Sequence, residues 1–212
     1  MHFSKFKKII SKFKHYELPG INSFLQMAPP ERIKQILGGH IPTNPLEAAV
    51  SLLFYKEIDN QTRMVLILRK QYKGVHSNQI GLPGGKFENQ DIHLKETAIR
   101  ETVEELGLIK DHIVIVEELT DIYIPPSNFM VKPFVCYYNK LPNFRPSQKE
   151  VAEIYKISIE ELMVMPIIKA EVRVNDQIKI VPCFKIQNKI VWGATAMIIN
   201  EFISLFKEVV NS

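Results

Sequence analysis

The sequence predicts an α+β fold, and three observations carry that prediction. Aliphatic runs of strand length recur between residues 48 and 184, two segments carry a helical period, and no Gly/Ser-rich linker or internal repeat separates them. With 212 residues, 46% hydrophobic and 24% charged, the chain can bury one full core but not several. Twelve Phe and seven Tyr against only nine Gly exclude a disordered, collagen-like or low-complexity protein.

The elements follow in order. Residues 1–16 (MHFSKFKKIISKFKHY) set Phe3, Phe6, Ile10 and Phe13 near one helical face, with Lys5, Lys8 and Lys12 mostly elsewhere. This basic amphipathic helix is expected first of all to dock on its own domain, since such faces usually close a core; a membrane-surface role of residues 1–16 is the less favoured alternative. A Pro-containing stretch over 18–45 ends in HIPTNP, so residues 1–45 read as a helical extension packed on a domain over 46–212. Residues 48–55 and 63–70, joined by the polar EIDNQT, read as a hairpin. Further strands are expected at 112–116, 119–124, 132–138, 152–157, 171–174 and 178–184. Helices are expected at 92–106, opened by Asp91 as N-cap, and at 194–209.

Lys and Arg number 27 against 23 Asp and Glu, giving +4 and a pI near 8.9. That balance slightly favours anionic ligands but falls short of a nucleic-acid footprint, so no nucleic-acid partner is expected. Cys136 and Cys183 lie in apolar surroundings without Cys or His at metal spacing, which reads as buried free thiols in a reducing cytoplasm. No run reaches the roughly eighteen apolar residues of a membrane span, and lysines interrupt what would be a signal core at the N-terminus.

Chemistry concentrates in residues 81–108, GLPGGKFENQDIHLKETAIRETVEELGL. At about 100° per residue, Ile92, Ile99, Val103 and Leu106 gather on one side of the helix and Glu101, Glu104 and Glu105 on the other. Like charges at these spacings repel, and toward a helix C-terminus the macrodipole adds to the cost. Such a cluster asks for a cation, and hard ions such as Mg²⁺ or Mn²⁺ bind through a few carboxylates together with substrate phosphates. The alternative is a solvated acidic face supported by Arg100 and Lys95. Gly84 and Gly85 allow close backbone approach to a ligand, or form a plain strand-to-helix turn.

This stretch resembles the box of the Nudix hydrolases, G-x5-E-x7-R-E-U-x-E-E-x-G-U with U a bulky aliphatic. Gly85, Arg100, Glu101, Glu104, Glu105, Gly107 and Leu108 match. Three positions depart: the acid is Asp91 rather than Glu, eight residues rather than seven separate it from Arg100, and Thr102 stands at the first U. The longer box with Asp is similar to that of the coenzyme A diphosphatase branch. In the upstream segment LILRKQYKGVHSNQIGLPGG, Leu66, Arg69 and Pro83-Gly84-Gly85 match the branch, and His76 and Gln79 fit it. Asn78 replaces its Gly, Leu82 its Phe and Gly74 its second Arg, with Lys73 adjacent. Residues 18–32, 124–135 and 181–198 also look like segments of bacterial relatives in this branch.

The resemblance implies a Nudix α/β/α sandwich, a mixed sheet between helices. It implies metal-dependent hydrolysis of the pyrophosphate of coenzyme A or acyl-CoA, giving 3′,5′-ADP and 4′-phosphopantetheine or its acyl form. Glu101 and Glu105 would be the principal ligands of Mg²⁺ or Mn²⁺, with Glu104 completing the cluster and the Gly85 carbonyl a further ligand. Arg100 would orient the carboxylates and Asp91 support the loop and helix start. Glu150 is the candidate general base, Glu153 the next, and either reads equally as a loop acid. Arg69, Lys73 and His76, with Gly84 and Gly85, would contact substrate. Arg69 as a structural ion pair and His76 as a turn histidine are the alternatives. Ser127 and Asn128 either line the pocket or hold a turn, and Trp192 reads as packing at the base of the last helix. Two other readings stay open: a Nudix hydrolase of NADH or ADP-ribose, and a non-catalytic Nudix-fold binding module, which such intact acids argue against. The expected partner is a small-molecule pyrophosphate, with a homodimer left open.

Overall fold

The computed structural model describes residues 1–39, 42–71, 77–174 and 177–212. Its spine is β1 (Leu46–Lys56), a strand apolar on both faces, as expected of one covered from both sides. Ala49, Leu53 and Tyr55 point into one core, and Ala48, Leu52 and Phe54 into the other.

Along one edge β1 runs parallel to β7 (Phe129–Tyr138), in register from Leu46↔Phe129 to Tyr55↔Tyr138. The other edge is shared. Its C-terminal part pairs with β2 (Thr62–Arg69), while Ala48–Val50 pair with β4 (Gly84–Lys86). The β1–β2 turn closes through Asn60 at φ 60°, a conformation Asn tolerates. β2 also pairs with β3 (Ile80–Gly81) and with β8 (Val151–Ser158). β5 (Ile113–Glu118) and β6 (Ile122–Ile124) pair with β7, making an eight-stranded mixed sheet among the described residues. A separate antiparallel sheet holds β9 (Ile168–Val174), β10 (Gln177–Ile186) and β11 (Lys189–Trp192).

Helices cover both faces. α1 (Phe3–Ile10), α2 (Ile21–Gln26) and, further along, α6 (Gly193–Asn211) pack on the Phe54 side, while α4 (Leu94–Leu106) packs on the Tyr55 side. Two short helices, α3 (Pro30–Gly38) and α5 (Ile159–Val164), complete the α-helices among the described residues. The fold is therefore α+β, a mixed sheet between helices.

Aromatic contacts tie the N-terminal segment to the sheet and to α6. Phe6 lies 4.7 Å from Phe54 and Phe54 lies 4.6 Å from Phe202, centroid to centroid, with Phe13 5.9 Å from Phe202. Each such pair adds about 1 kcal/mol beyond the area it buries. A buried carboxylate pins the same layer: Glu201 accepts the Gly20 N–H at 3.0 Å and the Thr120 N–H at 3.2 Å. Burial raises its pKa, and these donors oppose the rise.

Several boundaries differ from expectation, for physical reasons. The helix predicted over 92–106 begins at Leu94, and Asp91 is not its N-cap. The N–H groups of Ile92 and His93 are instead taken by the Glu96 carboxylate, at 2.6 and 3.3 Å. Ile92, expected on the core face, precedes the helix and is 75% exposed. The strand expected at 119–124 starts only at Ile122, because Thr120 turns its N–H to Glu201. Short β3, β4 and β11 carry too little alternation to be seen in sequence. Cys136 and Cys183 are free and buried, and burial pushes the Cys136 thiol up to about 12. No helix among the described residues is long and apolar enough to cross a membrane.

Candidate active site

The site is assembled where the Gly84-Gly85 strand meets α4. Gly84 sits at φ 148°, and a Cβ there would fall 2.3 Å from the Ala49 carbonyl oxygen, so only glycine lets β4 lie this close to β1. Gly85 has a different constraint. Its missing Cβ leaves the space taken by the Glu101 carboxylate, whose carbon would be 2.4 Å away.

Glu105 is the most enclosed acid of the site, 2% exposed. One oxygen accepts the Gly84 N–H at 2.8 Å and the other accepts Arg69 Nη1 at 3.0 Å. Arg69 Nη2 also donates to the Gly84 carbonyl at 2.9 Å. Loop, helix and β2 are thereby joined through one ion pair. Burial pushes the Glu105 carboxyl up to about 7, against the pull of Arg69 and the Gly84 N–H. The helix projection had set this residue on a face away from the core; the structure corrects that, because Glu105 points under the glycine strand.

Arg100 forms the second clamp. Its Nε and Nη2 donate to the two oxygens of Asp91 at 3.0 and 2.9 Å, and Nη1 donates to Glu101 at 2.8 Å. A fourth bond runs from Nη2 to the Lys86 carbonyl at 3.0 Å, and Glu104 lies 3.4 Å from Nη1. Asp91 further accepts Thr97 Oγ1 at 2.9 Å and the Glu88 N–H at 3.0 Å. Arg100 and these donors hold the Asp91 carboxyl down at about 2. Burial raises the Glu101 carboxyl, with Arg100 opposing and the charges of Glu104 and Glu150 adding to the rise.

Glu150 is thus within electrostatic reach of both Glu101 and Glu105. Its loop is held there by the end of α4: Arg145 N–H donates to the Leu106 carbonyl at 2.8 Å, and Ser147 N–H to that of Glu105 at 2.9 Å. The other base candidate, Glu153, is engaged by the Tyr155 hydroxyl at 2.6 Å. Asn128 holds a turn at φ 53° and accepts the Tyr123 hydroxyl at 2.9 Å. Lys73 and His76 lie outside the described residues.

Sequence reasoning missed the polar seam beneath the helix. Thr102, at a position the family fills with an aliphatic, is fully buried. Its hydroxyl lies 2.7 Å from the Ala98 carbonyl and 2.9 Å from Ser51 Oγ. The only signal was a serine within the apolar run AAVSLLFY.

The donor set suits a hard divalent cation. Glu101, Glu104 and Glu105 offer only carboxylate oxygen, and together with Asp91 they set four carboxylates against the two guanidinium groups of Arg69 and Arg100. Among the described residues no three acid, His or Cys side chains are already gathered around one point. Mg²⁺-type ions, which keep waters and rely on substrate phosphates, do not require a ready-made cage.

A glycine strand locked to an acid-bearing helix inside an α/β/α sandwich is the arrangement that the box implies. Residues 46–178 match the NUDIX domain family, and the chain belongs to that family of pyrophosphohydrolases, which use divalent metal ions. An uncharacterised Nudix hydrolase, NudL, of Pectobacterium atrosepticum is 30% identical over 66% of this chain and 70% of its own. The human mitochondrial coenzyme A diphosphatase NUDT8 is 26% identical over 62% of this chain and 58% of its own. A peroxisomal coenzyme A diphosphatase of Caenorhabditis elegans, ndx-8, is 24% identical over 55% of this chain and 50% of its own.

Proposed function

We propose that this protein hydrolyses the pyrophosphate of coenzyme A or its acyl thioesters, giving 3′,5′-ADP and 4′-phosphopantetheine or its acyl form. The observation that carries the reading is the Asp91–Arg100 pair. In a box one residue longer than the general family pattern, Asp91 meets Arg100 through two hydrogen bonds, and this pairing supports reading the longer box as that of the coenzyme A branch. Asn78 supports the same reading, since it stands at a branch glycine and adopts φ 55°. Two relatives named coenzyme A diphosphatases agree with it.

The reaction adds water across the pyrophosphate: a water oxygen bonds to one phosphorus, the bridging P–O bond breaks, and the water's proton passes to a carboxylate. Mg²⁺ or Mn²⁺, when bound, neutralises phosphate charge and acidifies the water. Glu101 and Glu105 would hold that ion, with Glu104 and the Gly85 carbonyl as further donors. Arg100 keeps Glu101 oriented through its Asp91 anchor, and Arg69 fixes Glu105 and the glycine loop. Glu150 is proposed as the proton acceptor, because its charge is felt by both ligand acids while Glu153 is occupied by Tyr155. Lys73 and His76 are proposed to meet the substrate phosphates, whereas Arg69, expected there too, has its Nη1 and Nη2 taken by Glu105 and the Gly84 carbonyl and serves as the structural ion pair.

The test is incubation with coenzyme A, NADH and ADP-ribose in Mg²⁺ or Mn²⁺, with products resolved by chromatography and Glu101→Gln as control. The reading expects metal-dependent 3′,5′-ADP from coenzyme A faster than cleavage of the other two, and loss of it in the variant. Cleavage of NADH or ADP-ribose alone discards the coenzyme A assignment, and cleavage of none leaves a binding module.

A further inference from the structure

The charge of this chain is unevenly divided. Residues 1–16 contain Lys5, Lys7, Lys8, Lys12 and Lys14 and no acid, while the remaining 196 residues carry 22 Lys and Arg against 23 Asp and Glu. The whole formal excess therefore resides in the α1 segment. Lys7 rests over the rings of Phe3 and Tyr137, at 5.5 and 5.4 Å from their centroids. Lys5, Lys8, Lys12 and Lys14 are exposed, and among the described residues none of the four is in an ion pair.

At about 100° per residue, Lys5 and Lys8 lie opposite the buried Phe3, Phe6 and Ile10, and Lys12, in the turn just past α1, keeps a right-handed helical backbone that continues this line. We propose that this outer face of α1 is a docking surface for an anionic lipid bilayer. The apolar face is already spent on Phe54 and Phe206, so contact is with headgroups rather than by insertion. From Lys5 to Lys14 the segment extends about 14 Å, longer than the roughly 8 Å screening length at physiological salt, which a planar anionic surface matches along its whole length.

The composition of the segment favours lipid over nucleic acid. It has no Arg, Asn or Gln to fork onto phosphates or read base edges, and Phe3, Phe6 and Phe13 are buried and unable to stack on bases. Docking here leaves the acid-bearing α4, on the other face of the sheet, turned away from the membrane.

Sedimentation of the full chain with vesicles tests the proposal. Binding is expected to vesicles with about 30% phosphatidylserine, not to phosphatidylcholine alone, and to be reversed by about 0.5 M salt. Lys5→Gln/Lys8→Gln/Lys12→Gln is expected to weaken binding by about a hundredfold, at roughly fivefold per lysine. The same lysines changed to Arg should retain it, as should Lys110→Gln/Lys140→Gln/Lys189→Gln, which removes equal charge from exposed sites elsewhere. No binding to the anionic vesicles, equal binding to neutral ones, equal loss in both Gln triples, or tighter binding to an oligonucleotide would each overturn it.

Discussion

The Glu101 carboxylate occupies the space that a side chain on Gly85 would need, with its carbon 2.4 Å from the missing Cβ. Gly85 has no positive φ, so this glycine is required by its neighbour rather than by its own backbone. Gly85→Ala must displace Glu101 from beside the strand. A shift of about 1 Å at a catalytic group costs on the order of a hundredfold in rate. Steady-state kinetics should show that loss in kcat/KM with the thermal midpoint changed by only a few degrees; near-normal turnover would show that Glu101 need not lie against Gly85.

What could be read from the sequence follows the distance over which each contact acts. Residues 85–108 are contiguous, so loop, helix and acids were visible together. The environment of Glu105 was not, because it depends on Arg69, 36 residues earlier, brought in by β2. The apolar stripe of α4 was only partly legible for a related reason: Leu106 is buried and Ile99 and Val103 pack on the core, but Ile92 fits the period and precedes the helix, and the most buried line of the helix runs through Ala98, Thr102 and Leu106. The aromatic face of α1 was legible at once from its spacing. That it would seat on Phe54 and Phe206 was not, since nothing local to residues 1–16 names its partner.

Asp91 supplies a pH-dependent part of stability. Its carboxyl is held at about 2 in the folded protein against an ordinary 3.8. A depressed carboxyl stabilises the fold fully above 3.8, and that contribution is lost as pH falls through about 2. The difference amounts to about 2 kcal/mol. Denaturation of wild type and Asp91→Asn from pH 2 to pH 6 should give a gap that is constant at the upper end and closes at the lower. A gap independent of pH would mean that Asp91 acts by shape alone.

The Ser51–Thr102 seam should behave as a unit. Each hydroxyl has the other, or the Ala98 carbonyl, within hydrogen-bond reach. Ser51→Ala and Thr102→Val are each expected to destabilise by about 1–2 kcal/mol, since each leaves a buried partner under-satisfied. The double variant restores an all-apolar seam of similar shape and should fall short of the sum by about 1 kcal/mol. Urea denaturation of the four proteins measures the coupling directly, and strict additivity would show that the two hydroxyls are independent.

Glu150 is positioned by the end of the helix that carries the other acids, and this makes its role separable from theirs. Gly107 ends α4 at φ 65°, and a Cβ there would lie 2.4 Å from the Arg145 carbonyl oxygen. Gly107→Ala therefore strains the left-handed turn and pushes away the segment that bonds to the carbonyls of Leu106 and Glu105. If Glu150 takes the proton from water, Glu150→Gln should lower kcat by about a hundredfold or more, with KM, metal affinity and thermal midpoint little changed. Gly107→Ala should lower kcat as well, but with a thermal midpoint reduced by several degrees, because the helix terminus itself is disturbed. Glu153→Gln, which removes only an acceptor for Tyr155, should leave kcat within about threefold of wild type. The reverse ranking, with Glu153→Gln inactive and Glu150→Gln active, would transfer the base assignment to Glu153 and would require Tyr155 to release it during turnover.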